Sequence, residues 1–370
     1  MNRRQFLALG AVTGGVFAFG RTIRRGGRPA FAQSSSAPVV DRLVMTNVVD
    51  NIYDVFAKDG KLDTITVERT RGSIGVPSPG AEHGLAYHLE STRGSERREI
   101  LLDFSLTPQT FFHNYSVLKL DPSRADALVV SHGHADHYGA LPDWARVYQG
   151  KAKPGVTLYA GGEDTFCHRM LTLPTGGTFD YGRLDQSALE ARGLKVVLAK
   201  QATPVAGHAF TTGQIPRLTD FERPPAAARL VAGAMDSACS AVHFGATKVE
   251  TKPGELVSDN FQGEHATVYH VKDRGLVVIT SCGHAGVINS VRQAQKAAGV
   301  DRVHAIVGGF HLAPAPDEVV AKTVDGFKAI NPDYVIPSHC TGLNTIIAVH
   351  RAMPQKLVMP STGTRVLFGA

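Results

Sequence analysis

The sequence predicts an α/β fold of the mixed, α+β kind, in which two β-sheets lie between outer helices. Three observations point there. Short apolar runs bounded by Gly, Pro and charged turns recur in both halves of the chain. Apolar residues return at helical spacing between strand-like runs in the C-terminal half. Histidines stand at the ends of several of those runs, where sheets present functional groups. Strands and helices in this order carry apolar faces that a layered arrangement covers, with the sheets packed on each other and the helices outside.

Residues 1–32 read as an export signal. Asn2-Arg3-Arg4-Gln5-Phe6-Leu7 sets two adjacent arginines before a weakly apolar, Gly-rich run from Phe6 to Gly20. Ala30-Phe31-Ala32 then offers small residues for cleavage before Gln33. The run is too short and too rich in glycine for a membrane span, which needs roughly 20 apolar residues. It resembles a twin-arginine signal, the route for proteins exported already folded. That resemblance implies the twin-arginine export machinery as a partner and a periplasmic or secreted location, with no stable membrane insertion after cleavage. An uncleaved N-terminal anchor is the other reading.

A linker is expected over 33–44, polar at its start in Gln33-Ser34-Ser35-Ser36, and one domain over 45–370. Strand-like runs follow at Leu43 to Val49, Thr64 to Glu68, Leu85 to Leu89, Ile100 to Phe104, Ala127 to Val130, Thr157 to Ala160 and Lys195 to Leu198. Residues 213–264 are rich in Pro, Gly and Ala without clear periodicity, and read as an insertion or long loop system. Regular structure resumes with Ala266 to Val271 and Gly275 to Thr280, a hairpin turning at Lys272-Asp273-Arg274. Val287, Val291, Ala294 and Ala298 mark one face of a helix from Val287 to Ala298. A strand at Val303 to Val307, a helix at Asp317 to Ile330 and a strand at Tyr334 to Ile336 complete the pattern.

Composition narrows the function. Hydrophobic residues at 43% and charged residues at 19% describe a globular chain. The net charge of +6 belongs to the N-terminus: six arginines fall in residues 1–32 with no acid, and removing them leaves 33 basic against 33 acidic residues. A neutral mature chain argues against nucleic acid as a partner and for a small-molecule substrate. Four cysteines show no CxxC spacing. In an oxidising compartment one pair could bridge, and spacing does not choose which. Cys282 and Cys340 each stand near a candidate ligand, so those two could lie close together, or each could be a small buried residue at a strand end.

The chemistry is concentrated in Ser131-His132-Gly133-His134-Ala135-Asp136-His137. Imidazole and carboxylate are the donors that suit zinc and similar divalent ions. On an extended loop, positions i and i+2 face the same way, so His132 and His134 can hold one ion. Asp136 and His137, past the turn, can reach a second position about 3.5–4 Å away. Packed cores rarely gather so many titratable groups without a metal. The cluster needs ligands from elsewhere, and His284 and His339, both at strand ends, are the candidates. His311, in Gly308-Gly309-Phe310-His311-Leu312, has the same placement as ligand, supporting residue or substrate contact. Glu82 and His83 precede a strand and could add a polar group or simply form a turn. His208 reads as a surface residue.

These residues resemble the metallo-β-lactamase fold superfamily, whose signature is the His-x-His-x-Asp-His loop. More narrowly, Glu82-His83-Gly84-Leu85, Leu102-Asp103, Ser131 to His137, Thr212-Gly213-Gln214-Ile215-Pro216, Cys282-Gly283-His284-Ala285-Gly286, Gly308 to Leu312 and His339-Cys340-Thr341-Gly342 are similar to the branch named for dihydropterin–ribofuranosylaminobenzene phosphate synthase. The resemblance implies a four-layer αββα sandwich with a metal site at the shared edge of its sheets. It also implies His132 and His134 at a first ion and Asp136 and His137 at a second, with His284 and His339 completing the shell. The wider superfamily bridges its metals with an aspartate after a late strand, and Ser281-Cys282-Gly283-His284 stands there here, which leaves one or two ions open. Zinc is the expected metal, with Mn2+ or Fe2+ as alternatives.

The expected activity is metal-dependent hydrolysis, with an activated water attacking an ester, lactone, phosphoester or amide-type small molecule and Asp136 as the base. Transfer by the same site and non-catalytic metal sensing are the alternatives, the former on analogy of fold alone.

Overall fold

The computed structural model describes residues 37–73, 75–233, 239 and 252–369. The export signal and the first linker residues lie outside the described residues. Along the chain run β1 (Val39–Val40), β2 (Arg42–Val49), β3 (Gly60–Lys61), β4 (Ile65–Glu68), β5 (Ala86–Arg93), β6 (Glu96–Leu102), α1 (Pro108–Val117), β7 (Ala127–Val130), α2 (Ala135–Tyr138), α3 (Leu141–Val147), β8 (Thr157–Ala160), β9 (Arg169–Thr172) and β10 (Thr178–Gly182). Then follow α4 (Gln186–Ala191), β11 (Lys195–Leu198), β12 (Gln201–Val205), β13 (Ala209–Gly213), β14 (Ala228–Val231), β15 (Leu256–Ser258), β16 (Thr267–Val271) and β17 (Gly275–Ile279). The chain ends with α5 (Val287–Ala298), β18 (Val303–Gly308), α6 (Asp317–Ile330), β19 (Tyr334–Pro337), α7 (Leu343–Ala352) and β20 (Arg365–Phe368).

Among the described residues these strands make three sheets. One runs β11-β8-β7-β6-β5-β2-β20-β4-β3 and the second β12-β13-β16-β17-β18-β19, with β1 on β16. The third, β10-β9-β14-β15, is small and antiparallel. Alternation along each strand explains the layering. In β7, Ala127 and Val129 face the core shared with the second sheet, while Leu128 and Val130 face α1 and α3. In β17, Val277 and Ile279 enter the shared core, while Leu276 and Val278 pack on α5 and α6. Both faces are buried, so these strands read as unbroken apolar runs. The result is helices, two sheets, helices: the expected αββα sandwich.

Local chemistry sets the helix ends. Thr107 caps α1 by accepting the Thr110 N–H, with Pro108 at the first helical position. Gly299 and Asn331 close α5 and α6 in the left-handed conformation. The limits of α5 and α6 match the spacing, although the buried face of α5 uses Ala297 where the periodicity pointed to Ala298.

Three expectations change. The linker is shorter than 33–44, because Val39, Val40 and Arg42 onward already pair in sheets and Val40 and Leu43 are fully buried. β5 and β6 extend past the apolar runs into a hairpin of charges, where Glu90 faces Glu99 and Arg93 faces Glu96 across the strands and Arg97 bonds Glu90. The stretch 213–264 is not wholly irregular: β14 and β15 lie within it and join β9 and β10.

The parallel strands β6, β7 and β8, and β17, β18 and β19, deliver their C-terminal ends to one side of the molecule, where open α/β sheets bind ligands. Close backbone approach fixes the exit of the histidine loop there. Gly139 donates to the Ser105 carbonyl, and a Cβ on it would stand 2.0 Å from the Leu106 carbonyl oxygen. Gly139→Ala is therefore expected to destabilise the fold by about 1–3 kcal/mol, the cost of forcing atoms into a packed site, read as a lower urea midpoint with an unchanged slope.

Candidate metal centre

Asp103 follows β6 with a positive φ of 60° and is fully buried. Its carboxylate accepts the Ser131 N–H at 2.8 Å, the Ser131 Oγ–H at 2.8 Å and the His137 Nδ1–H at 2.7 Å. An ionised carboxylate only accepts, so the proton of that last bond sits on Nδ1 and Nε2 points inward. Ser131 Oγ, having donated to Asp103, accepts from His132 Nδ1 at 3.0 Å and turns His132 Nε2 inward too. One carboxylate thus orients both ends of the histidine loop.

His132, His134 and His284 form a near-equilateral triangle, with ring centroids 4.7, 4.7 and 4.8 Å apart. Burial, and then the neighbouring imidazoles or cations, hold all three well below the ordinary histidine pKa, so the rings are neutral at pH 7. His132 Nε2, His134 Nε2 and both nitrogens of His284 are buried without a hydrogen-bond partner. Buried polar atoms are rarely left so, and three that converge call for a common ligand. The donor set, neutral nitrogens with a carboxylate alongside, fits a divalent ion of the zinc type.

A second group lies alongside. Asp136 Oδ2 stands 3.2 Å from His339 Nε2, 3.5 Å from His83 Nε2 and 3.6 Å from His137 Nε2, and the two Nε2 atoms of His137 and His339 are 3.2 Å apart. His339 is held through its N–H to Asp50 and its Nδ1 to Asn51 Oδ1. Burial alone would raise the Asp136 carboxyl, but His137 and His339 keep it well below the usual range. Burial alone would lower His137, but Asp136 and Asp103 outweigh it and push it up to about 9.

The structure therefore gathers His132, His134, Asp136, His137, His284 and His339 at one place, with His284 joining the first pair and His339 the second. His83 also arrives, stacked on His339. His311 arrives with its ring 4.1 Å from that of His284. Glu82 does not: its carboxylate accepts the Leu106 and Thr107 N–H groups and the hydroxyls of Thr107 and Thr110, which anchors the start of α1. His208 is buried rather than at the surface, bonded to Ser91 and Glu96.

Other residues were not read as part of the site. Tyr181, on β10, donates to Asp136 Oδ1 at 2.9 Å. Phe261 stacks on His284 with centroids 4.0 Å apart. Glu264 accepts the His284 and Ala285 N–H groups, and burial raises its carboxyl to about 7. The buried Arg169 guanidinium pairs with Asp259 at 2.8 Å and donates to the carbonyls of Gly133 and Asp164. Asp259 in turn accepts the Phe261 N–H. Of the residues that build the site beyond the expected ones, only Asp103 stands in a motif of the family resemblance, the Leu102-Asp103 pair. Over the site lies a cavity of about 230 Å³, bordered by His83, His134, His284, His311, His339, Asp136, Cys282 and Cys340 on one side, the floor, and by Leu171, Tyr181, Pro225, Ala227 and Ala228 on the other, the roof.

Known proteins share parts of this sequence and its fold. The sequence profile of the metallo-beta-lactamase superfamily matches residues 92–160, which contain the histidine loop. The chain is 26% identical over 290 residues to the 7,8-dihydropterin-6-methyl-4-(beta-D-ribofuranosyl)-aminobenzene-5'-phosphate synthase of Methanocaldococcus jannaschii, covering 76% of this chain and 90% of that protein. An uncharacterized protein of the same organism is 34% identical over 70 residues, 19% of this chain and 26% of that one. A crystal structure described as a metal-dependent hydrolase of the beta-lactamase superfamily superposes with a TM-score of 0.61 at 20% identity, covering 87% of this chain and 98% of that one. The fold is that of the metallo-β-lactamases.

Two outcomes are expected. Asp103→Asn removes the charged acceptor behind His137 and should weaken zinc binding about 10–100-fold with the fold retained, measured by competition with a chromophoric chelator. Below pH 9 the ion-free His137 carries a proton that an ion at Nε2 must displace. Zinc affinity should therefore rise with pH up to about 9, and titrations at pH 7 in buffers of different ionisation enthalpy should show net proton release.

Proposed function

We propose that this chain, with the metallo-β-lactamase fold and the His-x-His-x-Asp-His loop, is a metal-dependent hydrolase of small molecules carrying an ester, lactone, phosphoester or amide-type bond. The observation that carries the reading is the convergence of unpartnered, buried imidazole nitrogens beside a carboxylate. His132, His134 and His284 would hold one divalent ion, and Asp136, His137 and His339, with His83 at the edge, a second. Zinc is the best match to these donors, with Mn2+ or Fe2+ as alternatives. Such an ion supplies Lewis-acid activation of water near neutral pH.

The chain's own groups then have defined tasks. Asp136 Oδ1 accepts the Tyr181 hydroxyl, so Oδ2, facing His137, His339 and His83, is the oxygen that would serve both as ligand and as proton acceptor. His83, largely exposed and held below the ordinary histidine pKa chiefly by burial, is neutral at pH 7 and can pass that proton to solvent. The roof residues narrow the approach to the site, and the cavity of about 230 Å³ suits the reacting end of a small substrate rather than a polymer.

A second reading, transfer in place of hydrolysis, is favoured by the likeness to a protein named as a synthase. Product analysis separates the two. The twin-arginine signal and a periplasmic or secreted location also belong to this proposal. The Cys167–Cys239 disulfide supports an oxidising compartment.

Asp136→Ala is expected to abolish turnover while the circular dichroism spectrum is unchanged. The assay is the zinc-loaded chain against chromogenic ester, lactone, phosphodiester and β-lactam substrates. Retained hydrolysis in the variant would overturn the assignment.

A further inference from the structure

We propose that Cys282 and Cys340 are a redox-active pair, open as a dithiol and closed as a disulfide, and that closure weakens the neighbouring centre's hold on a divalent ion. Their Sγ atoms stand 3.2 Å apart and unbonded, while Cys167 and Cys239 are bridged. One chain thus carries a finished bridge packed against Leu230 and Val257 of the small sheet and an open pair in the floor of the site. The open pair needs little more than an ångström of approach to reach the roughly 2.05 Å of a sulfur–sulfur bond.

The two sulfurs sit where closure would be felt. Cys282 lies two residues before His284, after β17, and Cys340 directly follows His339, after β19. A bond between them would tie together the two loops that bring the late histidines to the site. Cys340 Sγ accepts the His311 N–H at 3.3 Å and donates to the Cys282 carbonyl at 3.4 Å, so neighbouring backbone already fixes its position. Cys282 Sγ also lies within 4.8 Å of a ring nitrogen of both His132 and His137, between the two ligand groups. Drawing it toward Cys340 changes what faces both. Both cysteines border the cavity and Cys340 is partly exposed, which gives a small reagent access.

Closure breaks two S–H bonds and forms one S–S bond. The two electrons and two protons go to a low-molecular-weight disulfide, which is cleaved to two thiols through a mixed-disulfide intermediate. The effect on the ion rests on the reading of the histidine cluster as a metal centre; the sulfur chemistry does not.

The test uses the full chain stripped with a chelator and equilibrated in mixtures of reduced and oxidised dithiothreitol. Peptide mapping without reduction reports which cysteines are joined, and chelator competition reports zinc affinity. The expected result is a Cys282–Cys340 crosslinked peptide and a zinc affinity lowered about tenfold or more, both reversed by reductant. The Cys340→Ala chain, treated alike, controls for Cys167–Cys239, and its zinc affinity should not respond to the oxidant. No crosslink at any ratio, with zinc bound normally, overturns the pair. A crosslink with unchanged affinity overturns the control of the centre, as does an equal response in Cys340→Ala. A reduced chain that binds no zinc overturns the metal-centre reading itself, and the proposed effect with it. The crosslink and the wild-type affinities decide the matter even where the variant does not fold.

Discussion

Asp103 stands where the chain leaves β6, and through its carboxylate that strand grips the loop leaving β7. Three donors from Ser131 and His137 converge on it in a place closed to bulk solvent. Hydrogen bonds to a buried charge are stronger than neutral ones and expensive to leave unmade. The carboxylate therefore does more than tie the loop down. It decides which nitrogen of His137 bears a proton and, through Ser131, which way His132 faces. The apolar sandwich beneath supplies rigidity, and this contact converts rigidity into direction.

The roof is anchored by different physics. Arg169 brings a guanidinium into the interior, where an unpaired charge would be prohibitive, and spends its donors on Asp259 and on the carbonyls of Gly133, Asp164 and neighbours. Gly133 must be glycine beside it, because a Cβ would stand 2.1 Å from the Thr165 carbonyl oxygen. The small sheet that carries Arg169 and Tyr181 is thereby locked to the histidine loop below, and Asp259 passes the same constraint to Phe261 on the ring of His284. Floor and roof share one polar network.

Legibility in the sequence followed locality. The loop from His132 to His137 was plain because its donors are contiguous. His284 and His339 were plain because apolar runs led up to them. The limits of α6 showed in the spacing of Val320, Val324 and Phe327. Helix α1 left little trace, since it buries Phe111, Asn114 and Tyr115 without a clean apolar stripe. Glu82 looks closer to the chemistry in the sequence than it lies in the fold, because an acid beside a histidine says nothing about which way either points. Tyr181 and Arg169 were invisible for a stronger reason. Their roles depend on β9, β10, β14 and β15 meeting across more than fifty residues of intervening chain, and no local pattern encodes that meeting.

The roof differs from the floor in the elements that build it as well as in position. Among the described residues, those that could hold an ion flank strands of the sandwich, on loops or in short helical turns, whereas Leu171, Tyr181, Pro225, Ala227 and Ala228, which shape the space above, come from the small sheet and the segments leading into it. Variation can then act on the two independently. Changes in the small sheet would redraw the outline of the cavity and leave the histidine cluster below it untouched, so the shape of the space and its donor groups can vary apart.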